Sequence, residues 1–204
     1  MKVMQNQTRN VAVEAYRDSL VALGAHKVAH QDETLISHME HTCSILERMK
    51  SPPHVCLSGL FHGVYGTQAL HSENVEALPE GRREQVAAMI GPRSERLVYN
   101  FSVMNYESVG RSLRNVLRGG DPDVRDRRTG EPIPMTHEEF DELLRLKLGD
   151  VLAHVPVQMA HSQLDLPAEY GSFWQIVAEH LGPDCVETWN SIVGGQLWIA
   201  TNPN

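Results

Sequence analysis

The spacing of apolar residues along this 204-residue chain predicts helices almost throughout. Apolar positions recur every three or four residues, in segments that end at glycine or proline, as in amphipathic helices around a common core. The segments cover residues 10–23, 35–49, 54–63, 80–90, 94–105, 138–155, 168–181 and 183–193. A strand-like pattern occurs only at residues 124–135, where a hairpin should turn at Thr129 and Gly130. We therefore expect an all-α bundle of about eight helices with at most one short β-hairpin.

The length of the chain is that of one domain. It is sufficient to bury a sizeable apolar core without disulfides or structural metals. We expect a single domain over residues 1–204, with its core at about 8–160 and C-terminal helices at 166–195 that pack on this core.

Charge and composition exclude several classes of partner. The chain has 18 basic and 26 acidic residues, and this net charge of −8 disfavours nonspecific binding of nucleic acid. No apolar run reaches the roughly 18–20 residues that cross a bilayer. Three spaced cysteines without a CxxC pair, and a polar N-terminus without a signal-peptide pattern, are typical of cytoplasmic proteins. We expect a cytoplasmic protein with a small-molecule partner and no nucleic acid or membrane; a homodimer stays open.

Two histidines lie beside the apolar faces of the second and third predicted helices. At 100° per residue, His38 is about 60° from the centre of the apolar stripe that includes Met39, whereas His41 is about 120° away. His38 should therefore point into the protein and His41 towards solvent. His62 shares a helix face with Tyr65, and the small Ser-Gly pair one turn earlier would let another helix approach it closely.

The histidines are candidate ligands for a metal ion. Neutral imidazole binds zinc, iron, copper and nickel, and a carboxylate completes many catalytic iron sites. The spacings match no local motif such as HExxH, so the same residues also suit a hydrogen-bonded core without a metal. The candidates are His30, His38, His62 and His71, with Tyr65 and Glu95 as partners.

Arginines are concentrated between residues 111 and 128, the least regular part of the chain. They can form an anion pocket, a lid over a site or a solvated surface, and the sequence leaves these alternatives open. The arginines are Arg111, Arg114, Arg118, Arg125, Arg127 and Arg128.

Three strings in the first half of the chain resemble a family of uncharacterised HD-like proteins, DUF6817. They are TLISHMEHTCSIL, LSGLFHGVYGT and REQVAAMIGPRSERLVYNF, and the second contains the Phe-His-x-x-Tyr-Gly-Thr signature of that family. The wider HD-domain superfamily has a histidine, then a His-Asp pair at the end of a following helix, then a distant aspartate. The resemblance implies an HD-like fold in which His38 is the first histidine and His62 the histidine of the pair.

The sequence departs from the superfamily's pattern at Gly63, which stands where the paired aspartate would bridge two metals. The resemblance therefore implies a single-metal site rather than a two-metal phosphohydrolase. Glu95 and Asp150 both suit the place of the distant acid by position. We take His38, His62, His30 and Glu95 as candidate ligands, and a divalent transition metal as cofactor, with Fe(II) as the first choice.

These observations support three hypotheses of function. The first is a non-haem iron oxygenase or metal-assisted hydrolase acting on a small polar or anionic substrate. Its catalytic residues would be His62 and Tyr65, and Tyr65, Thr67, Arg125 and Arg128 would contact the substrate. The second is a metal-free module that binds a ligand or a partner, and the third is a metal-free acid–base enzyme using His62 and Tyr65.

Overall fold

A computed structural model describes residues 13–23, 25, 29–30, 33–67, 80–161 and 166–194. At residues 29, 30, 33, 80, 156–161 and 166–172 it describes the backbone alone. The described residues form an all-α fold, as predicted. After a first helix at residues 13–22 (α1), the helices are α2 (Leu35–Arg48), α3 (Pro53–Phe61), α4 (Arg83–Ile90), α5 (Pro92–Val103), α6 (Tyr106–Val116), α7 (His137–His161), α8 (Leu166–Leu181) and α9 (Pro183–Trp189).

The remaining regular elements are short. A 3-10 turn at Glu80–Arg82 precedes α4, and a π turn at Asn190–Gly194 follows α9. Strands β1 (Ala29–His30) and β2 (Glu33–Thr34) pair antiparallel where the sequence predicts only a polar turn. Among the described residues, no helix is long and apolar enough to cross a membrane.

The predicted hairpin at residues 124–135 is present as a single bridge rather than as two strands. Arg125 pairs with Pro132, and the amide of Ile133 donates to the carbonyl of Val124. Gly130 has a φ of 76°, so it supplies the left-handed conformation at the turn that the sequence predicts.

The junction between α2 and α3 follows from local chemistry. Thr34 caps α2, because its hydroxyl accepts a hydrogen bond from the amide of Ser37. Lys50 ends the helix in the left-handed region, with a φ of 52°, and the amide of Ser51 closes back onto Leu46. Pro53 then occupies the first position of α3.

Two helix boundaries differ from what the local sequence indicates. A serine before proline is typical of a helix cap, but Ser51 does not cap α3, since Pro52 takes that position and no side chain caps the helix. Pro156 does not end α7, which continues to His161. The packing of α7 against α2, α3, α5 and α8 compensates for the one backbone hydrogen bond that a proline removes. At its start, Thr136 and Glu139 exchange hydrogen bonds as a capping box, as the sequence predicts.

The core consists of two apolar clusters, and α2 contributes to both. One cluster joins α1, the first half of α2, α3, α4 and α5, and it includes Leu20, Met39, Phe61, Val86 and Val98. The other joins the second half of α2 to α5–α9, and it includes Leu46, Phe101, Phe140, Leu144 and Val177. The side chains of His38 on α2, His62 after α3 and Asp150 on α7 meet where these three helices pack together.

Glycines allow α2 to approach its two neighbours closely. A Cβ atom at Gly59 on α3 would lie 2.5 Å from Cδ1 of Leu46 and 3.4 Å from the backbone of Cys43. A Cβ atom at Gly149 on α7 would lie 3.0 Å from Cγ of the same leucine. Leu46 is fully buried, so it has no free space into which it could move.

We expect Gly59→Ala to lower the free energy of unfolding by about 1–2 kcal/mol, measured by urea denaturation. Overpacking against Leu46 costs about 1–3 kcal/mol, and the better helix propensity of alanine recovers part of this, by about 1 kcal/mol at most. Gly81→Ala is the matched control, because nothing lies within 4 Å of a Cβ atom there. Equal stability of the two variants would show that α2 and α3 are not in close contact.

Candidate metal centre

Three buried side chains from three parts of the fold bring their ligand atoms together. Nε2 of His38 lies 3.0 Å from Oδ1 of Asp150, and Nε2 of His62 lies 3.4 Å from the same oxygen. One ligand atom from each residue lies within 4.8 Å of the other two. The three residues are 1%, 2% and 6% exposed, respectively. Two imidazoles and a carboxylate are a common ligand set for a catalytic metal.

The hydrogen bond of His62 fixes which of its nitrogens is available. Nδ1 lies 2.7 Å from the carbonyl oxygen of Gly59, which can only accept, so Nδ1 carries a proton. In the neutral ring, Nε2 is then a lone-pair donor that points towards Oδ1 of Asp150. Two lone pairs at this distance repel each other unless a cation or a proton lies between them, so this pair of atoms could share a metal ion or a proton.

The second oxygen of Asp150 binds a lysine. Nζ of Lys147 lies 2.7 Å from Oδ2, and both side chains are largely buried, 12% and 9% exposed. The ammonium also lies 4.3 Å from the centre of the Tyr106 ring and 5.4 Å from that of Phe101. Oδ1 therefore faces the histidines, while Oδ2 faces a fixed positive charge.

A third histidine, His154, borders the group one turn after Asp150. Its ring stacks on that of His38, with the centres 4.3 Å apart and the planes at 20°. Its Nε2 lies 3.5 Å from Oδ1 of Asp150, and its side chain is 18% exposed. His154 is thus the histidine of this group that is nearest to solvent, and it fixes the plane of the His38 ring.

The protonation states follow from burial and from these contacts. Burial lowers the pKa of His38 to about 3, although the hydrogen bond to the Asp150 carboxylate opposes this change. Burial alone would raise the pKa of Asp150, but Lys147 and the three histidines outweigh it and hold the pKa well below its usual range. Burial disfavours the charge of Lys147, yet Asp150 and Tyr106 raise its pKa. The centre therefore holds a carboxylate, an ammonium and a neutral His38 at neutral pH.

Glu95, a candidate ligand from the sequence, lies in a different cluster. Its oxygens accept hydrogen bonds from Nε and Nη2 of Arg83 at 2.6 and 2.7 Å. The hydroxyl of Tyr65 donates to Glu95 at 3.1 Å. The guanidinium of Arg83 also stacks on Tyr99, 3.6 Å from the ring centre. Glu95 is thus paired with a cation of the protein, while Asp150 takes the place beside the two histidines.

Tyr65 is nearly buried beside this ion pair. Burial, together with the charge of Glu95 and the hydrogen bond to it, raises the pKa of the Tyr65 hydroxyl above its usual value. The hydroxyl is therefore a proton donor to Glu95 rather than a group that ionises near neutrality.

The predicted substrate-binding residues do not gather around the histidines through any described contact. Arg125 pairs with Asp123, and Arg128 binds Asp126 and the hydroxyl of Tyr99. Thr67 is buried at the end of the signature sequence. Their roles in substrate binding stay predictions. The side chain of His30 and all of His71 lie outside the described residues.

The sequence itself contains a signal for the α7 part of the centre. Lys147, Asp150 and His154 occupy positions i, i+3 and i+7 of α7, so they share one helix face. This polar stripe lies within a helix whose other inward residues are apolar, such as Leu144 and Leu148. Three ionisable residues on the buried side of a long helix point to a site.

The fold and this group define an all-helical protein with a buried His-His-Asp constellation. Residues 19–106 match the family model described as a domain of unknown function, DUF6817. The match supports the DUF6817 resemblance carried by the signature and includes His38, His62 and Glu95, but not the α7 residues. The wider likeness to HD domains stays a prediction. No curated protein and no solved structure is detectably similar to the chain.

We expect Asp150→Asn to lower the free energy of unfolding by about 3–5 kcal/mol, since it leaves the Lys147 ammonium buried without its counter-charge. The measurement is urea denaturation with a chelator present, so that loss of a bound metal does not contribute. Adding Lys147→Met to this variant should recover part of the loss, because the unpaired charge is then removed.

Asp121→Asn is the control for this experiment. The Asp121 side chain is 95% exposed and, among the residues that the structure describes, pairs only with His137, so the substitution should change stability by less than about 0.5 kcal/mol. If Asp150→Asn is no more destabilising than Asp121→Asn, the carboxylate is not the counter-charge of Lys147.

Proposed function

We propose that His38, His62 and Asp150 hold one divalent transition metal and that the protein is a mononuclear metal enzyme. The observation that carries this proposal is the convergence of three buried ligand atoms on one point, with a lone pair of His62 directed at a carboxylate oxygen. A neutral His38 and an ionised Asp150 are the forms that bind a metal.

The distances within the group suit a single ion. Ligand atoms about 2.0–2.1 Å from one metal are about 3.4 Å apart in a tetrahedron. The separations of 3.0 and 3.4 Å from Oδ1 of Asp150 to the two histidines have this size. Because Oδ2 is bound to Lys147, Asp150 would supply one oxygen. Three protein ligands leave positions for water and substrate.

The surrounding residues would each do a distinct task. The Gly59 carbonyl sets the tautomer of His62, and His154 holds the ring of His38 by stacking. Lys147 balances the charge of Asp150 and keeps one of its oxygens away from the ion. Glycine at position 63 leaves the centre without a second carboxylate there, so we propose one metal rather than two.

Two histidines and one carboxylate are the ligands of many non-haem iron oxygenases and also of zinc hydrolases. When bound, the metal would supply either oxygen activation or a polarised water. We place the iron oxygenase first and the metal-assisted hydrolase second, with a small polar or anionic substrate. The metal-free acid–base alternative is less favoured, because the Tyr65 proton is committed to Glu95.

Metal analysis tests the ligand set. We expect protein purified without chelator to take up about one equivalent of Fe(II) or Zn(II). The variants His38→Gln, His62→Gln and Asp150→Asn should each bind the metal more than about 100-fold more weakly. This loss exceeds the one typical of residues that only orient a ligand. His41→Gln, on the same helix as His38, is the matched control and should bind like the wild type.

Glu95→Gln separates the two acids that the sequence offers as ligands. It should keep full metal binding, because Glu95 is paired with Arg83. Metal binding that survives in Asp150→Asn but is lost in Glu95→Gln would contradict the proposed ligand set, as would less than about a tenth of an equivalent in the wild type.

Oxygen dependence separates the two chemistries. Protein loaded with Fe(II) is mixed with a panel of small polyols, hydroxy acids and phosphate esters, with and without air, and product and dissolved oxygen are measured. An oxygenase consumes oxygen together with substrate and is inactive without air. Turnover of esters at the same rate without air, supported by Zn(II), would assign the hydrolase instead.

A further inference from the structure

A second cluster of charge lies on α6, apart from the histidine centre. It borders a cavity of about 410 Å³ between this helix and the turn that follows it. The cavity is lined by Arg111, Ser112, Arg114, Asn115, Arg118 and Asp123.

The three arginines of this cavity have no described ionic partner. Most other arginines of the described chain bind an acid or a polar atom of the protein; Arg83, Arg96 and Arg145 are examples. None of the described residues forms an ion pair or hydrogen bond with Arg111, Arg114 or Arg118. Within the described part of this chain, whose net charge is −8, three positive charges thus lie together without a neutralising partner.

The acid in the cavity wall does not neutralise them, since it is already engaged. Asp123 receives Nε of Arg125 at 2.8 Å on one oxygen and Nη2 at 3.0 Å on the other. This two-point pair balances the charge of its carboxylate. Among the described residues, the cavity therefore keeps the positive charge of Arg111, Arg114 and Arg118.

Helix electrostatics explains only part of this arrangement. Arg114 and Arg118 lie at the C-terminal end of α6, where the helix dipole favours cations. Arg111 lies in the middle of the helix, where it does not gain from the dipole. Spacings of three and four residues bring the arginines next to one another, and such like-charged neighbours destabilise a helix by a few tenths of a kcal/mol per pair.

The wall opposite the arginines is held in place by side chains of α6. The hydroxyl of Ser112 accepts a hydrogen bond from the amide of Asp123 at 2.9 Å. The side-chain amide of Asn115 donates to the backbone carbonyl of Asp121 at 2.6 Å, and the backbone carbonyl of Asn115 accepts from the amide of Gly120. The turn packs so tightly that a Cβ atom at Gly120 would lie 2.7 Å from the Asn115 side chain. The cavity is therefore preformed.

We propose that this cavity binds a small polyanion, of the class of compounds that carry an oligophosphate chain. Arg111 and Arg118 are seven residues apart, so the charges spread over about 10 Å along the helix. A single phosphate spans less than this, whereas two or three linked phosphates match it. Each guanidinium group can bind two phosphate oxygens at once. The volume of the cavity lies in the range of small-ligand sites, about 300–1,000 Å³.

This site does not depend on the metal centre. The start of α6 contacts the centre, since Tyr106 lies over Lys147. The cavity begins more than one turn farther along the helix. The two sites therefore share a helix but no residues, and either can be present without the other.

Isothermal titration of the full chain with tripolyphosphate at low salt tests the proposal. We expect saturable binding of one equivalent, and about tenfold weaker binding in each of Arg111→Gln, Arg114→Gln and Arg118→Gln, because each removes charge-assisted hydrogen bonds. Inorganic phosphate should bind at least about tenfold more weakly than tripolyphosphate, since it reaches fewer arginines. Circular dichroism confirms that each variant is folded.

Arg82→Gln is the matched control. Arg82 is exposed and does not line the cavity. Its substitution removes the same charge as the other three, so it should leave the affinity for tripolyphosphate unchanged. Equal weakening by Arg82→Gln, or no saturable binding up to about 1 mM tripolyphosphate, would overturn the proposal. Loss of binding in His38→Gln would instead place the anion at the histidine centre. If a DNA duplex at an equal concentration of charge displaces tripolyphosphate, the site binds nucleic acid, and the proposal of a small polyanion is overturned.

Discussion

A carboxylate enclosed by helices stays ionised only when cations or hydrogen-bond donors surround it. Asp150 satisfies this condition through Lys147 on one oxygen and three histidines around the other. This arrangement fixes the position of α7 relative to α2 and the end of α3, because its residues come from all three. The pair with Lys147 also directs one oxygen at the histidines, so the interaction that permits burial also arranges the proposed ligand set.

The three helices can meet around this carboxylate because both neighbours of α2, the helices α3 and α7, place a glycine against it. Gly59 and Gly149 both face Leu46, and each lets a neighbouring helix approach α2 more closely than a larger residue would. Gly59 has a second role in the centre, since its carbonyl accepts the hydrogen bond from Nδ1 of His62. Backbone packing and histidine tautomer are thus set at the same residue. The lack of a side chain at Gly59 permits close contact between α2 and α3, and the carbonyl of the same residue fixes the protonated nitrogen of His62.

Much of the fold could be predicted from local sequence. The apolar period predicts the helices, and Thr34, Pro53 and the Thr136–Glu139 capping box mark their starts. The phase of α2 also predicts that His38 is buried, and it is 1% exposed. The errors occur where distant contacts outweigh local preference. Pro156 would end an isolated helix, but α7 is packed on four other helices and continues past it.

The sequence by itself determined the all-helical fold, the inward positions of His38 and His62, and the lack of a carboxylate at Gly63. It did not decide between Glu95 and Asp150, because both suit the third ligand by position. The tertiary structure decided which acid lies beside the histidines, since Arg83 at the start of α4 binds Glu95 in the first turn of α5, while α7 carries Asp150 to the histidines. Helical period reports which way a side chain faces within its own helix. It does not report which side chains of different helices meet. The contact between His38 and Asp150, which are 112 residues apart, depends on how the helices pack.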